Sequence, residues 1–356
     1  MTSWKYVESD KYQKEIQQQY QQRVAKFTPE EVIKVLQILN ISNLPTSNEI
    51  TEARAGNMNA TYITPHLVIK MNKNHKETDY VSNKIISDRL GNTSPIIKVI
   101  AYDNFEKTDF EVLVMEKSEG NMLLDDIFEM NEKDVGTIFN QVLDVVDKCF
   151  DISFEDFGLV NSTKKDSFET FSKYLLKDFD SYVAKIKSEN ICTGEDIEKI
   201  EKYFKKHISI FDTTESVFVH GDLHMGNILH KGDRLTAVID FDYSLKAPKV
   251  RVLLSIIGFI DNPQQFVEGT KDFDRFKGKN FYYLLPILKA RFPEIFADPQ
   301  LLRKLNLIEI KESIKWVSQN WSADWNTEMI NGLLQNEIGE DNLSQTYHGK
   351  ILSKYT

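Results

Sequence analysis

The spacing of apolar residues predicts a sheet-rich part of the chain followed by a helix-rich part. Apolar and β-branched residues cluster in short runs typical of strands at 61–64, 67–71, 96–102 and 110–115. Beyond them, apolar positions recur every three or four residues and predict helices over 123–130, 132–149, 166–189, 195–208, 250–260, 280–290 and 301–316. Short strands interrupt these helices at 217–219, 228–229 and 236–241, the last two around a turn at Lys231-Gly232-Asp233.

The same pattern suggests where the domains begin and end. Residues 1–27 carry one apolar stripe at helical spacing and predict a helical extension docked on the domain surface. Thr28-Pro29-Glu30-Glu31 then opens a second helix, with a capping hydroxyl, proline in the first turn and acids near the positive end. The segment 116–120 separates the sheet-rich part from the helix-rich part, so we expect an N-terminal domain over 28–118 and a C-terminal domain over 119–356.

Composition narrows the class of protein. Of 356 residues, 41% are hydrophobic and 28% charged, which is typical of a globular protein and excludes extensive disorder. The formal net charge of −10 argues against a nucleic-acid or anionic-membrane partner. The longest charge-free apolar run, 252–260, is shorter than a membrane span, and the N-terminus has no signal-peptide pattern, so we expect a cytoplasmic protein. The two cysteines, Cys149 and Cys192, form no metal or disulfide motif.

The most informative segment is the loop HGDLHMGN at 220–227, followed by the run Ile239-Asp240-Phe241-Asp242. A hairpin between 228 and 238 would bring Asp240 back beside Asn227, so that Asp222, Asn227 and Asp240 can converge. In phosphoryl transfer, one carboxylate orients the attacking hydroxyl and accepts its proton. An amide oxygen and a second carboxylate suit Mg²⁺, which offsets the charge of the phosphates.

Other interpretations of these residues exist. His220 and His224 could be zinc ligands one helical turn apart, although Gly221 and the preceding strand-like run disfavour a helix. The aspartates could instead be turn and capping residues, which explains each of them singly but not the joint pattern.

On this segment the sequence resembles the aminoglycoside phosphotransferase and choline kinase group, relatives of the protein kinases, whose pattern is H-G-D-[LIF]-H-x-x-N followed by I-D-[FW]. The resemblance implies an α+β, two-lobed protein-kinase-like fold with a small mainly β N-terminal lobe and a larger mainly helical C-terminal lobe. It implies Asp222 as catalytic base, Asn227 and Asp240 as Mg²⁺ ligands, and ATP or GTP as phosphoryl donor. His220 and His224 would hold the loop, and Asp242 would assist the metal or bond nearby backbone.

The N-terminal part would then bind the nucleotide. Residues 55–62 (AGNMNATY) resemble the family's phosphate loop, which implies phosphate contacts from Gly56 and Asn59, although an ordinary hairpin turn would look the same. Lys70, at the end of the next strand, would reach the α and β phosphates. Its acidic partner is expected to be Glu77, since the family's usual helix spacing falls near Asn83, which is not acidic. The segment 110–120 resembles the strand and hinge beside adenine, with backbone contacts near Met115 and Lys117.

The acceptor is expected to be a small, cationic or polyhydroxylated molecule. In the family that the sequence resembles, acceptors bind among the C-terminal helices. Residues 309–341 hold seven acids, two lysines and three tryptophans, which suits an amine, although a charged helical face over packed tryptophans is an equal explanation. An aminoglycoside or related aminosugar is the first expectation. Choline, ethanolamine, another metabolite, or a non-catalytic nucleotide-binding pseudokinase are the alternatives, and the chain could be a monomer or a dimer.

Overall fold

The computed structural model of the protein describes residues 13–14, 26–53, 60–73, 80–160, 166–268, 270, 272–320, 322–338 and 343–354. The chain forms two compact units. The first, here called the sheet unit, comprises Lys14–Cys149 and His224–Ser244. The second, the helical unit, comprises Met1–Gln13, Phe150–Leu223 and Leu245–Thr356. The domain boundary expected near residue 118 stays a prediction, and most of the predicted N-terminal extension lies outside the described residues.

Within the described residues, the strands in chain order are β1 Thr51–Glu52, β2 Ala60–Ile63, β3 Leu67–Asn72, β4 Val99–Asn104, β5 Glu111–Glu116, β6 Asn121–Met122, β7 Ser153–Phe154, β8 Gly158–Leu159, β9 Ser216–Val219, β10 Ile228–Lys231, β11 Arg234–Val238 and β12 Leu245–Ala247. The α-helices are α1 Pro29–Ile38, α2 Val81–Leu90, α3 Leu123–Asp126, α4 Glu132–Phe150, α5 Phe171–Ser188, α6 Gly194–His207, α7 Val252–Asp261, α8 Leu285–Arg291, α9 Pro293–Phe296, α10 Leu301–Val317, α11 Ala323–Gly332 and α12 Tyr347–Ser353.

A five-stranded antiparallel sheet in the order β1-β2-β3-β5-β4 is the centre of the sheet unit. Successive side chains of a strand point to opposite faces, and β3 uses both faces for packing. Ile69 and Met71 join the buried cluster that contains Leu36 of α1. Val68 packs with Tyr80 in a second cluster. Because Lys70 alternates with Ile69 and Met71, the strand period places it on the face opposite α1.

Helix α1 begins as the sequence predicts. The Thr28 hydroxyl accepts from the Glu31 backbone N–H at 3.2 Å, and the Glu31 carboxylate accepts from the Thr28 N–H at 2.7 Å. This reciprocal capping box, with Pro29 in the first turn, satisfies two backbone donors that a helix start leaves open. The helix therefore starts where a local sequence signal places it.

A second, three-stranded sheet in the order β11-β10-β6 completes the sheet unit. Strands β10 and β11 form the predicted hairpin, with Ile228 opposite Val238 and a turn through Gly232, whose φ is 65°. The second strand of the hairpin ends at Val238, earlier than the sequence pattern indicated, because Asp240 leaves the extended conformation.

The helical unit contains a four-stranded sheet in the order β7-β9-β12-β8 and most of the long helices. Its core is aromatic: the rings of Phe179 on α5 and Phe204 on α6 stack with centroids 4.0 Å apart. The long helix α10 contacts α5 and carries Leu305, Ile310 and many other buried side chains. In the part of the chain that the structure describes, no helix is both long and apolar enough to cross a membrane.

Candidate active site

Two carboxylates in the segment that follows β11 bind one lysine of β3. The ammonium of Lys70 donates to Asp240 Oδ1 at 2.8 Å and to Asp242 Oδ2 at 3.0 Å, across sequence separations of 170 and 172 residues. The lysine side chain is 11% exposed, so the contact lies away from bulk water. The predicted phosphate-binding lysine and the predicted metal-binding aspartate therefore meet in one place.

The two aspartates differ in their exposure. Asp240 has the left-handed backbone conformation, φ 65° and ψ 59°, and a short 3₁₀ turn over Phe241–Tyr243 follows it. The Asp240 side chain is 40% exposed, whereas that of Asp242 is 4% exposed. A solute can therefore reach Asp240 much more readily than Asp242.

Asn83, on α2, is the third member of this group and is fully buried. Its side-chain Nδ2 donates to Asp242 Oδ1 at 2.7 Å, and its Oδ1 accepts from the backbone N–H of Phe241 at 3.2 Å. The helix spacing of the family that the sequence resembles placed the acidic partner of Lys70 near this position. Asn83 was given no role because it is not acidic. The sequence signal that could have pointed to it is the extra acid, Asp242, directly after the Ile-Asp-Phe motif, which needs a polar partner when buried.

Charge and burial set the protonation of the group. Burial alone would lower the pKa of Lys70, but Asp240 and Asp242 raise it well above its ordinary value, so the ammonium stays charged. Burial, together with the nearby charge of Asp240, raises the pKa of Asp242 to about 7. Lys70 and the hydrogen bond from Asn83 act in the opposite direction. The site is thus a cation held between an accessible and a buried carboxylate.

The β10–β11 hairpin brings Asn227 close to the segment that carries Asp240. The backbone N–H of Ile239 donates to the Asn227 carbonyl at 3.0 Å, which places Asn227 beside the residue that precedes Asp240. Amide and carboxylate oxygens are hard ligands of the kind that Mg²⁺ prefers. The described residues contain no cluster of three His, Cys, Asp or Glu side chains able to hold a metal ion. An ion bound at Asn227 and Asp240 would therefore complete its coordination with ligands from outside this pair, which fits Mg²⁺ with its waters and phosphate oxygens.

Apolar side chains lie on the same face of the sheet as Lys70. Val68 of β3, Leu229 of β10 and Ile239 are partly buried and pack on a cluster that includes Met115. These partly buried apolar side chains lie in the same sheet unit as Lys70 and the two carboxylates. Such a combination suits a planar ring joined to an anionic group.

The predicted hinge lies at the end of β5, where two of its amides are already bonded. The backbone N–H of Glu116 donates to the Lys98 carbonyl and that of Lys117 donates to the His66 carbonyl, both at 2.9 Å. Met115 is buried with its side chain in the core. A base bound along this segment would therefore use backbone groups other than these two amides.

Asp222 belongs to the helical unit and lies in the loop that follows β9. The backbone N–H of Asp222 donates to His220 Nδ1 at 3.4 Å, and the next amide, that of Leu223, donates to the Ser255 hydroxyl at 3.2 Å. In the sheet unit, His224 Nδ1 accepts from the Gly226 N–H at 3.1 Å. Residues 220–224 are not helical, so the two histidines do not share a helix face, and both bond nearby backbone.

Three other residues predicted for the nucleotide site lie outside the described residues: the phosphate-loop residues Gly56 and Asn59, and Glu77, the predicted partner of Lys70. Their roles stay predictions.

Several acids of the 309–341 segment bond within the helical unit. Glu312 lies 3.2 Å from the Lys311 ammonium and 3.8 Å from Arg251. Glu337 accepts from the Asn306 amide at 2.8 Å. Trp325 is buried, while Trp316 is 43% exposed. Structural contacts thus account for part of the pattern that the sequence linked to a cationic acceptor.

Comparison with known proteins gives a family match over part of the chain and a fold. Residues 75–248 match the model of the phosphotransferase enzyme family, APH. No curated protein matches the chain significantly. Among solved structures, the streptomycin–ATP complex of APH(2'')-IIa aligns with a TM-score of 0.59 at 17% identity, covering 90% of this chain and 99% of that one.

A second group of solved structures gives the same result. A thermostable mutant of APH(4)-Ia, in a ternary complex with AMP-PNP and hygromycin B, aligns with a TM-score of 0.56 at 13% identity, covering 85% of this chain and 98% of that one. At these identities the likeness shows the fold alone, and it confirms the predicted protein-kinase-like α+β fold.

Proposed function

We propose that the chain, whose residues 75–248 match the model of the phosphotransferase enzyme family, transfers the γ-phosphoryl group of ATP or GTP to a hydroxyl of a small molecule. The first acceptor to test is an aminoglycoside or related aminosugar, because the similar solved structures include complexes with streptomycin and hygromycin B. Choline, ethanolamine and sugars follow. The family match supports the phosphoryl transfer, and the acceptor panel below tests the choice of acceptor.

The observation that carries the proposal is the contact between Lys70 and Asp240 at 2.8 Å. A lysine that stays charged in a mostly buried site attracts phosphate oxygens, and the accessible carboxylate beside it, with the Asn227 amide, suits Mg²⁺. When bound, Mg²⁺ would offset the negative charge of the phosphates. The partly buried apolar side chains of Val68, Leu229 and Ile239 suit contact with the base of the same nucleotide.

The reaction forms one bond and breaks one. The acceptor hydroxyl oxygen bonds to the γ-phosphorus as the bond from that phosphorus to the β–γ bridging oxygen breaks, leaving a nucleoside diphosphate. We assign the hydroxyl proton to the Asp222 carboxylate, on the basis of the HGDLHMGN motif. Lys70 and the metal ligands position the donor, and positioning with charge stabilisation is the main source of rate in phosphoryl transfer.

Nucleoside-diphosphate release tests the proposal. The wild-type chain would be assayed with Mg²⁺ and ATP or GTP over aminoglycosides, choline-like amines and sugars. Asp222→Asn is expected to lower acceptor-dependent turnover by about 10²- to 10⁴-fold while nucleotide binding persists, as for loss of a general base. Asp233→Asn, at an exposed position in the β10–β11 turn, is the matched control and should turn over like the wild type.

Two results would contradict the proposal. Absence of nucleotide binding by the wild type would show that the chain does not use a nucleotide as phosphoryl donor. Equal turnover by Asp222→Asn and the wild type would show that Asp222 is not the catalytic base.

A further inference from the structure

Among the described residues of α2, Val81–Leu90, the only acid is Asp88. It lies on the exposed surface, bonded to Lys84 at 2.7 Å, and does not pair with Lys70. Asn83 of α2 is fully buried and donates to Asp242 of the site. An amide is neutral and cannot offset the charge of the lysine.

The orientation of the Asn83 amide is fixed by its two partners. The Phe241 backbone N–H can only donate, so it requires the Asn83 oxygen, and the Asn83 nitrogen is left to donate to Asp242. An aspartate at this position could satisfy the Phe241 N–H but would present a second carboxylate to Asp242. The chemistry of the two partners therefore selects an amide at residue 83.

Asp242 links this amide to the lysine. One of its carboxylate oxygens accepts from Asn83 and the other accepts from Lys70, so the three side chains form a continuous chain of hydrogen bonds. Asp242 is 4% exposed, whereas Asp240 is 40% exposed. The buried carboxylate is thus shielded from solutes and available to the lysine, while the accessible one can also contact a bound ion.

We propose that Asp242, oriented by Asn83, is the residue that positions Lys70 for the nucleotide phosphates, and that Asn83 is a positioning residue of the phosphotransferase. The inference rests on the proposed function. Asp240 and Asp242 divide two tasks between them, metal binding and lysine positioning, and Asn83 keeps the second carboxylate pointed at the lysine.

Binding measurements separate this role from general support of the fold. Calorimetric affinities for Mg·AMP-PNP and for adenosine, which lacks phosphates, would be measured for the wild type and Asn83→Ala. Loss of a charge-assisted hydrogen bond behind Lys70 is expected to weaken Mg·AMP-PNP about tenfold or more and to leave adenosine unchanged. Asn306→Ala is the matched control, because Asn306 is also a fully buried amide bonded to a buried carboxylate, that of Glu337, in the helical unit.

An exchange of the two side chains provides a rescue test. Asn83→Asp alone places two carboxylates together, and Asp242→Asn alone removes the charge facing Lys70, so each should weaken Mg·AMP-PNP binding by more than Asn83→Ala does. The double variant Asn83→Asp/Asp242→Asn restores one amide and one carboxylate. It should bind Mg·AMP-PNP more tightly than either single variant, because the amide–carboxylate bond re-forms with its polarity reversed.

The outcomes distinguish the inference from the proposed function. A wild type that binds no Mg·AMP-PNP overturns both. A wild type that binds it, with Asn83→Ala equal to the wild type, or with equal losses for adenosine and Mg·AMP-PNP, overturns the positioning role alone. Should Asn83→Ala fail to fold, the double variant decides, and affinity no better than that of the single variants overturns the positioning role.

Discussion

The Lys70 ammonium lies 2.8 Å from a carboxylate oxygen of Asp240, although 170 residues separate the two in the chain. The strand that carries Lys70 and the turn that carries Asp240 belong to the same compact unit. The groups proposed to bind nucleotide phosphates and metal are therefore already together within one unit.

Replacing Lys70 by methionine should affect both stability and nucleotide binding. Asp242 would keep its buried position without its cationic partner, which typically costs about 3–5 kcal/mol. Binding of Mg·AMP-PNP should weaken by about 10- to 150-fold, the value of a charge-assisted hydrogen bond. Denaturant unfolding and calorimetry measure the two effects. Lys84→Met, an exposed lysine on α2, is the control, and similar losses in both variants would contradict this role for Lys70.

Asp240→Asn should separate metal binding from stability. The side chain is 40% exposed and Asp242 still pairs with Lys70, so the unfolding temperature should stay within a few degrees of the wild type. Turnover should fall about 100-fold or more, because a charged group facing the reacting phosphates is lost. A titration of turnover with Mg²⁺ should shift to higher concentration. An unchanged Mg²⁺ dependence would show that Asp240 does not hold the ion.

Glu312 should make the stability of the helical unit depend on pH. Burial would raise its pKa, but Lys311, Lys315 and Arg251 outweigh burial and lower the pKa to about 2. Because the pKa is lower in the folded state than its ordinary value of 4.5, the stabilisation is complete above pH 4.5 and disappears as the pH falls towards 2.

Glu312→Gln tests this linkage. The variant should unfold with about 3 kcal/mol less free energy than the wild type at pH 7, and the difference should shrink towards zero near pH 2. Urea unfolding at a series of pH values measures it. Glu169→Gln removes an ion pair with Lys173 that solvent screens, so its pH trend should be much smaller than that of Glu312→Gln. A difference that stays constant from pH 7 to pH 2 would rule out the lowered pKa as the cause.

Two glycines of the sheet unit offer a test of backbone packing. At Gly120, φ is 98° and an added Cβ would lie 2.1 Å from the His230 carbonyl oxygen, next to the pairing of β6 with β10. At Gly232, φ is 65° and an added Cβ would meet no atom within 4 Å. Gly232→Ala should therefore cost about 1–2 kcal/mol from its backbone conformation alone. Gly120→Ala should cost clearly more in the same unfolding experiment, and equal losses would contradict the close approach to His230.

Much of the fold follows from local signals. The capping box at Thr28 begins α1, and the turn at Lys231-Gly232-Asp233 closes the β10–β11 hairpin. The hairpin in turn brings Asn227 beside Ile239, since an antiparallel pair returns the chain to its starting point. These features depend on residues close in sequence, so periodicity and turn chemistry were enough to predict them.

The partners of Lys70 were not predictable in the same way. The sequence indicated Lys70 and Asp240 as functional residues, but it gave Asp242 a minor role and excluded Asn83 for lacking a charge. Their contacts span 158 to 172 residues. No local pattern encodes which buried amide will face which carboxylate at such separations.

The sequence by itself determined the elements, the motif and the chemical types available at the site. The tertiary structure decided that Asp242 is buried while Asp240 stays accessible, because the left-handed backbone at Asp240 ends the extended run there. It also decided that a neutral amide on α2 suits this site better than an acid. The carboxylate of Asp242 already faces residue 83. A second carboxylate there would be repelled strongly, because a buried site lacks the water that screens like charges.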